Sequence, residues 1–413
     1  MPSTKNWQAN VAVAHHHKHH LYETCVAYRE VDRWAGFLTS RFAVDRGLLD
    51  TLTKVPIGKV SRIAKRMLAY HDPRIRDQVW LYAPTIPKKL ALSVLGGRRF
   101  FSGSSFVDAA AEWAAQHEVA VHSHVTGSTE IFERIAPLGL PCLLEMYLGD
   151  RLHGRGILER ELESLGMPNG EKEMLALGHG QRQIDRCRRE CELADFVFCP
   201  SPFVLDSMRD AGVPEAKLVF APYGSTPPKS KPAFLPRLAS DPLRVAFVGT
   251  EGVRKGLVHL IRATEKLAPR VEVHVFGMAS FSLPGFEYRS DLIKFHGFKS
   301  KPDMLAELAT MHVGCLPSLF EGSAIGVYDY LGTGLPVVVT PNAGTLVTNG
   351  KEGFVVPAQD SDAIASAFEA LYADEDLRRS MAESAAALAV ECSWARYRAA
   401  TVAPLLSMSN SPA

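Results

Sequence analysis

The sequence predicts an α/β protein of two doubly wound, parallel-sheet domains that face one central cleft. Three observations predict it. The chain has 413 residues, 46% of them hydrophobic and 22% charged, which suits two domains of about 100–200 residues, each with its own core. Short apolar, β-branched runs alternate with helix-period patterns through both halves, the pattern of parallel strands joined by helical crossovers. A stretch carrying Pro227, Pro228, Pro232, Pro236 and Pro242 separates the halves and reads as a linker. The expected boundaries are 1–225, a linker at 226–242, 243–392, and a terminal helix within 393–413 that crosses back to the first domain.

The elements follow in order. Asn10–His15 is a strand that runs into the histidines of 15–20, and a helix is expected over Leu21–Leu38. Residues 51–99 hold eleven Lys/Arg against two Asp/Glu. Within them Lys54, Lys59, Arg62, Lys65 and Arg66 interleave with Val55, Ile57, Val60, Ile63 and Leu68. Glu118–His122, Pro141–Leu144 and Phe196–Cys199 read as strands. One helix ends at Leu193, and another opens at Pro200-Ser201-Pro202 and stops near Gly212-Val213-Pro214. Beyond the linker, strands are expected at Arg244–Gly249, Val271–Gly277, Leu292–Gly297, Val313–Pro317 and Pro336–Thr340. Helices are expected at Leu257–Leu267, Pro302–Met311 and Ala324–Leu331.

Several classes fall away. A net charge of +1 gives no footprint for nucleic acid, where a basic domain is the rule. Seven cysteines, odd in number and scattered, argue against a disulfide framework and for a reducing compartment. No apolar run reaches the roughly 18–20 residues of a membrane span, and Met1–Asn10 has no signal-peptide core. A cytoplasmic enzyme is expected.

Two stretches carry candidate chemistry. Pro317–Asp329 joins a strand end to a helix start. Small residues Gly322, Ser323 and Ala324 leave backbone N–H groups open there, an anion site suited to a diphosphate. Glu321 sits at its mouth, and Asp329, eight positions on, is expected on the same helix face two turns along. Such carboxylates suit the hydroxyls of a sugar nucleotide, or they only offset a helix dipole. In the second stretch, Val248–Gly256, a turn with Gly249 and Thr250 leaves a strand, and Arg254 and Lys255 precede a helix. It has neither the P-loop nor the dinucleotide glycine pattern, which disfavours a nicotinamide oxidoreductase. Lys255 and Arg254 are suited to holding phosphates, although a solvated basic helix start reads the same way.

These stretches, with Gly334–Thr340 and Asn349–Pro357, resemble the C-terminal half of retaining glycosyltransferases of the GT-B fold, whose Glu-x7-Glu signature precedes a "GLPVV" strand. Pro200–Val204, Gly212-Val213-Pro214 and Tyr223-Gly224 resemble the end of that family's N-terminal, Rossmann-like domain. The resemblance implies that Glu321 contacts the transferred sugar and that Asp329, in place of the second Glu, meets the nucleotide ribose. It implies that Lys255 grips the diphosphate, with Thr250 at the usual Arg position and Arg254 supplying the guanidinium. The donor-binding set is Gly249, Thr250, Arg254, Lys255, Phe298, Glu321, Gly322, Ser323, Ala324 and Asp329. The catalytic set is Glu321, Lys255, His122 and His153, with His122-Ser123-His124 at a strand end and His153 at a place where the family keeps a polar cleft residue. The resemblance implies no metal and no cofactor beyond a nucleoside-diphosphate sugar as co-substrate.

The histidines of 15–20 lack the second run of ligands that a metal site needs. The resemblance places them in the loop facing donor and acceptor. The sequence therefore reads as a sugar transferase acting on a glycan or lipid-linked hydroxyl, with residues 54–68 able to touch anionic membrane weakly. A catalytically weak sugar-nucleotide binder and an epimerase on the same architecture are the alternatives.

Overall fold

Continuous apolar runs build the first sheet, because strands covered on both faces need no polar side. The computed structural model describes residues 5–15, 21–40, 42, 72–86, 88–89, 93, 99–167, 178–225, 232–250, 252–283 and 285–409. The basic stretch 54–68, His16–His20 and residues 226–231 of the linker lie outside them. At the centre are β1 (Val11–Ala14), followed by α1 (Leu21–Glu30), and β2 (Trp34–Thr39). Then come β3 (Val79–Tyr82), β4 (Phe100–Phe101), α2 (Phe106–Gln116) and β5 (Ala120–His124). After α3 (Thr129–Ile135) come β6 (Cys142–Glu145), α4 (Arg151–Ser164), α5 (Gln181–Leu193), β7 (Phe196–Cys199), α6 (Pro202–Asp210) and β8 (Leu218–Phe220). The sheet order is β4-β3-β2-β1-β5-β6-β7-β8, and the pairs are parallel, with Val11 opposite Ala120 and Val13 opposite His122.

The single helix expected over Leu21–Leu38 is two elements. Asp32 takes a left-handed φ of 55° and the Arg33 amide turns back to the Tyr28 carbonyl. The chain then re-enters as β2, which pairs with β1. The strand expected from Glu118 begins two residues later, since Glu118 has φ 51°, and it continues to His124.

The second sheet uses shorter connections. It comprises β9 (Leu243–Val248), α7 (Leu257–Lys266), β10 (Val271–Phe276), β11 (Ile293–Phe295), α8 (Lys301–Leu308), β12 (Val313–Leu316), α9 (Ile325–Gly332), β13 (Val337–Val339) and β14 (Gly353–Val355). Its order is β11-β10-β9-β12-β13-β14. Helices α10 (Ser361–Ala373) and α11 (Glu375–Glu391) close the domain, and α12 (Trp394–Ser409) follows. The last helix lies on the N-terminal domain, where Tyr397 Oη meets Thr24 Oγ1 at 2.6 Å and Arg398 pairs with Glu23 at 2.7 Å.

Strand order reverses beside β1 in one sheet and beside β9 in the other. Loops after the strands flanking such a reversal splay apart, and the crevice between them is where ligands bind in open α/β sheets. In the C-terminal domain the two loops are Gly249–Gly256, after β9, and Pro317–Ala324, after β12.

Candidate active site

The β9 turn delivers its cations into the β12 loop. Gly249 is buried, and a Cβ there would lie 2.5 Å from Lys255 Cδ, so only glycine lets the lysine fold back across the turn. Lys255 Nζ pairs with Glu321 Oε1. Arg254 Nη1 lies 3.0 Å from Glu321 Oε2 and donates to the Phe320 carbonyl at 2.8 Å. Both cations therefore converge on one carboxylate that is 7% exposed. Burial pushes the Glu321 carboxyl up, but Lys255 and Arg254 outweigh it and hold the group below its ordinary value. The loop itself is stitched from several sides. The Leu319 amide donates to Arg254 O, Asn342 Nδ2 to Leu319 O, Thr340 Oγ1 to Ser318 O and the Ala324 amide to Ala343 O.

That last bond explains a correction. Residues 322–324 lie outside the helix and α9 starts only at Ile325, with Ala324 as its extended cap. Glu321 therefore stands in the loop before the helix, and it does not share a helix face with Asp329. Asp329 lies within α9, 8% exposed, and its carboxylate pairs with Lys301 at the start of α8. Burial raises the Asp329 carboxyl, and Lys301 only partly restores it. Lys301 was not among the expected residues, and nothing in the sequence links it to Asp329 across 28 positions. Thr250 is exposed at its turn. Phe298, in the loop after β11, is 88% exposed, an unpacked aromatic on the same side of the sheet as the strand ends.

Residues 242–374 match the family model described as Glycosyl transferases group 1. The C-terminal domain is a group 1 glycosyltransferase domain. Among curated proteins, the MMP α-(1→4)-mannosyltransferase of Mycolicibacterium hassiacum is 23% identical over 296 residues, which is 68% of this chain and 69% of that protein. Among solved structures, Anabaena HepE in complex with UDP-glucose is similar with a TM-score of 0.59 and 16% identity, covering 97% of this chain and 100% of that one. Sucrose-phosphate synthase from Thermosynechococcus elongatus has a TM-score of 0.60 and 15% identity, covering 97% and 99%. The fold is GT-B, two parallel-sheet α/β domains.

The N-terminal domain meets the glycosyltransferase domain closely at this loop. A Cβ on Gly322 would lie 1.8 Å from the Tyr147 carbonyl oxygen, and Ser201 Oγ donates to the Gly322 carbonyl. Gly322 therefore serves close approach of the two halves as well as open backbone.

His122 is a correction. It is fully buried, with Nδ1 2.8 Å from Tyr28 Oη and Nε2 2.9 Å from Glu145 Oε2, and Tyr397 donates to the same carboxylate at 3.2 Å. Both ring nitrogens are used inside the packed network that ties α12 to the sheet, so His122 does not reach the cleft. Two residues on, His124 is partly exposed at the strand end, its ring 4.2 Å from that of His15. His153 is exposed on the first turn of α4, its amide bonded to the Asp150 cap at 2.8 Å and its ring 6.3 Å from Phe203, which in turn packs on Phe320. The structure thus gathers Lys255, Arg254, Glu321 and the 322–324 loop, pairs Asp329 with Lys301, and leaves His122 out.

Proposed function

We propose that this protein is a retaining glycosyltransferase that moves a sugar from a nucleoside-diphosphate sugar to a hydroxyl on a glycan or lipid-linked acceptor, without a divalent metal. The observation that carries the reading is the convergence of Arg254 and Lys255 on Glu321 at the β9/β12 crevice. Two cations there suit a diphosphate, and a carboxylate between them suits the hydroxyls of the sugar attached to it. Anabaena HepE forms a complex with UDP-glucose and the M. hassiacum relative is a mannosyltransferase, which supports this donor class.

In the reaction, the bond from the anomeric carbon to the diphosphate oxygen breaks and its electron pair stays on the phosphate. Lys255 and Arg254 take up that charge, an interaction stronger in the transition state than before it. The acceptor oxygen bonds to the anomeric carbon from the same face, and its proton passes to the departing phosphate. For this, the phosphates must draw the two cations away from Glu321, which frees the carboxylate for the sugar. Closure of the N-terminal domain at Gly322 excludes water.

A panel of nucleoside-diphosphate sugars, with simple hydroxyl acceptors and excess chelator, tests the reading. Acceptor-dependent release of nucleoside diphosphate in chelator is expected. Interconversion of the donor sugar without acceptor would mark an epimerase. Activity restored only by manganese or magnesium would overturn the metal-free step.

A further inference from the structure

Helix α4 is anchored in both domains. Its start belongs to the N-terminal one: the Asp150 amide donates to Ser207 Oγ at 3.0 Å, and the Arg151 guanidinium reaches Tyr147 Oη and the Gly178 carbonyl, each at 2.6 Å. Its later turns face the other domain. Ile157 packs with Leu319 and Phe320, and Leu158 and Leu162 pack with Val253. With fourteen residues the helix is about 21 Å long, so its two ends can serve different domains.

Near its end, Glu161 is 1% exposed. Its Oε1 lies 2.9 Å from His259 Nε2, and its Oε2 accepts from Gln359 Nε2 at 2.6 Å. His259 is 4% exposed and Ser361 Oγ lies 3.4 Å from its Nδ1. Both of these carboxylate partners come from the C-terminal domain. His259 stands one turn beyond Lys255, on the helix that leaves the phosphate turn. A buried carboxylate is tolerated only when paired and hydrogen-bonded. Opening the cleft would take both partners from Glu161 at once, so its burial favours one mutual setting of the domains.

We propose that Glu161 is a positioning residue, an interdomain latch that with His259 and Gln359 sets the Arg254–Lys255 turn against the acceptor-side domain. The inference rests on the transfer reaction proposed above, but the latch does not touch the sugar. Losing it should leave the phosphate turn intact and disturb only its alignment with the other domain.

The test uses the full chain with Glu161→Ala, Glu161→Gln and His259→Ala, and the double variant Glu161→Ala/His259→Ala. Calorimetry reads nucleoside-diphosphate affinity, steady-state kinetics read transfer and donor hydrolysis, and small-angle scattering reads the radius of gyration without ligand. Glu161→Ala should keep diphosphate affinity within about two-fold, lose at least about ten-fold in transfer kcat, hydrolyse a larger share of donor and scatter as a more open particle. Glu161→Gln, which still accepts one bond, should fall between it and the wild type, and the double variant should be no worse than the worse single. Should Glu161→Ala fail to fold, His259→Ala and Gln359→Ala carry the same readouts. Unchanged scattering and kcat would overturn the latch, as would diphosphate binding and transfer lost together. The scattering arm needs no donor, so a wild type that transfers nothing would defeat the proposed function without deciding the latch.

Discussion

Replacing Glu321 with Gln removes one negative charge and little else. That charge lies between Lys255 and Arg254, whose side chains are 16% and 11% exposed. Removing one partner of a fully buried ion pair costs about 3–5 kcal/mol. Here the cations retain some water, the Gln oxygen still accepts, and Arg254 keeps its bond to the Phe320 carbonyl. The loss should therefore be about 1–2 kcal/mol, or a Tm lower by about 3–6 °C for a domain of this size. The same substitution removes the group that competes with phosphate for the two cations. Nucleoside-diphosphate affinity should hold or rise, by up to about five-fold for each 1 kcal/mol of relieved competition. Transfer should still collapse by about 100-fold or more, since the sugar loses its carboxylate, a loss of about 2.7 kcal/mol in the transition state. Calorimetric titration of the diphosphate into wild type and Glu321→Gln, alongside kcat, reads both signs. A ten-fold weaker diphosphate in Glu321→Gln would refute the competition. Unchanged kcat would refute the role on the sugar.

Lys255→Ala should lower kcat by about 10²–10³-fold, and Arg254→Ala should also cost catalysis and loosen the 317–324 loop; the double mutant should be less than additive, as kinetics and Tm on the three variants will show. Asp329→Asn should weaken the free diphosphate by about 1–2 kcal/mol if the carboxylate meets the ribose, read by the same titration. Burial holds the Asp329 carboxyl above its ordinary value, and a raised folded pKa adds stability at low pH that is lost as pH rises through it; melting curves should thus show Asp329→Asn more stable than wild type at pH 7–8, the gap narrowing toward pH 4. His122→Ala should cost about 2–3 kcal/mol by taking one of the hydrogen bonds that hold the buried Glu145 carboxylate, which keeps Tyr397, lowering Tm by about 6–10 °C, while kcat of the folded enzyme stays within about two-fold of wild type.

The alternation of strands and helices was legible wherever a β-branched run was short and bounded, as at Val271–Phe276 and Val337–Val339. It failed at Trp34–Thr39, because a continuous buried run has no period to separate it from a helix, and the break at Asp32 rests on one left-handed residue without a glycine to announce it. Strands β3, β4 and β8 carry at most one β-branched residue each, and β14 reads as a turn because Gly350 and Gly353 both precede an apolar run of only Phe354, Val355 and Val356. In the site, Lys255 and Glu321 were legible because a strand-end turn and a strand-end loop face each other at a sheet reversal. Arg254 was foreseen only as a substitute cation, and its hold on the Phe320 carbonyl is tertiary. His122 misled because a strand-end histidine looks the same in sequence whether it faces a cleft or a buried glutamate one strand away. Lys301 and Glu161 carry no motif at all, since their partners are fixed by how helices pack.

The claim that two cations and one carboxylate at the β9/β12 crevice transfer a sugar with its configuration kept is tested most directly by the anomeric configuration of the product. Proton NMR of the first product formed from an α-linked nucleoside-diphosphate sugar, in chelator, should show an α-linkage to the acceptor, absent in Lys255→Ala and Glu321→Gln. A β-linked first product would contradict retention, and an unimpaired Lys255→Ala would contradict the site.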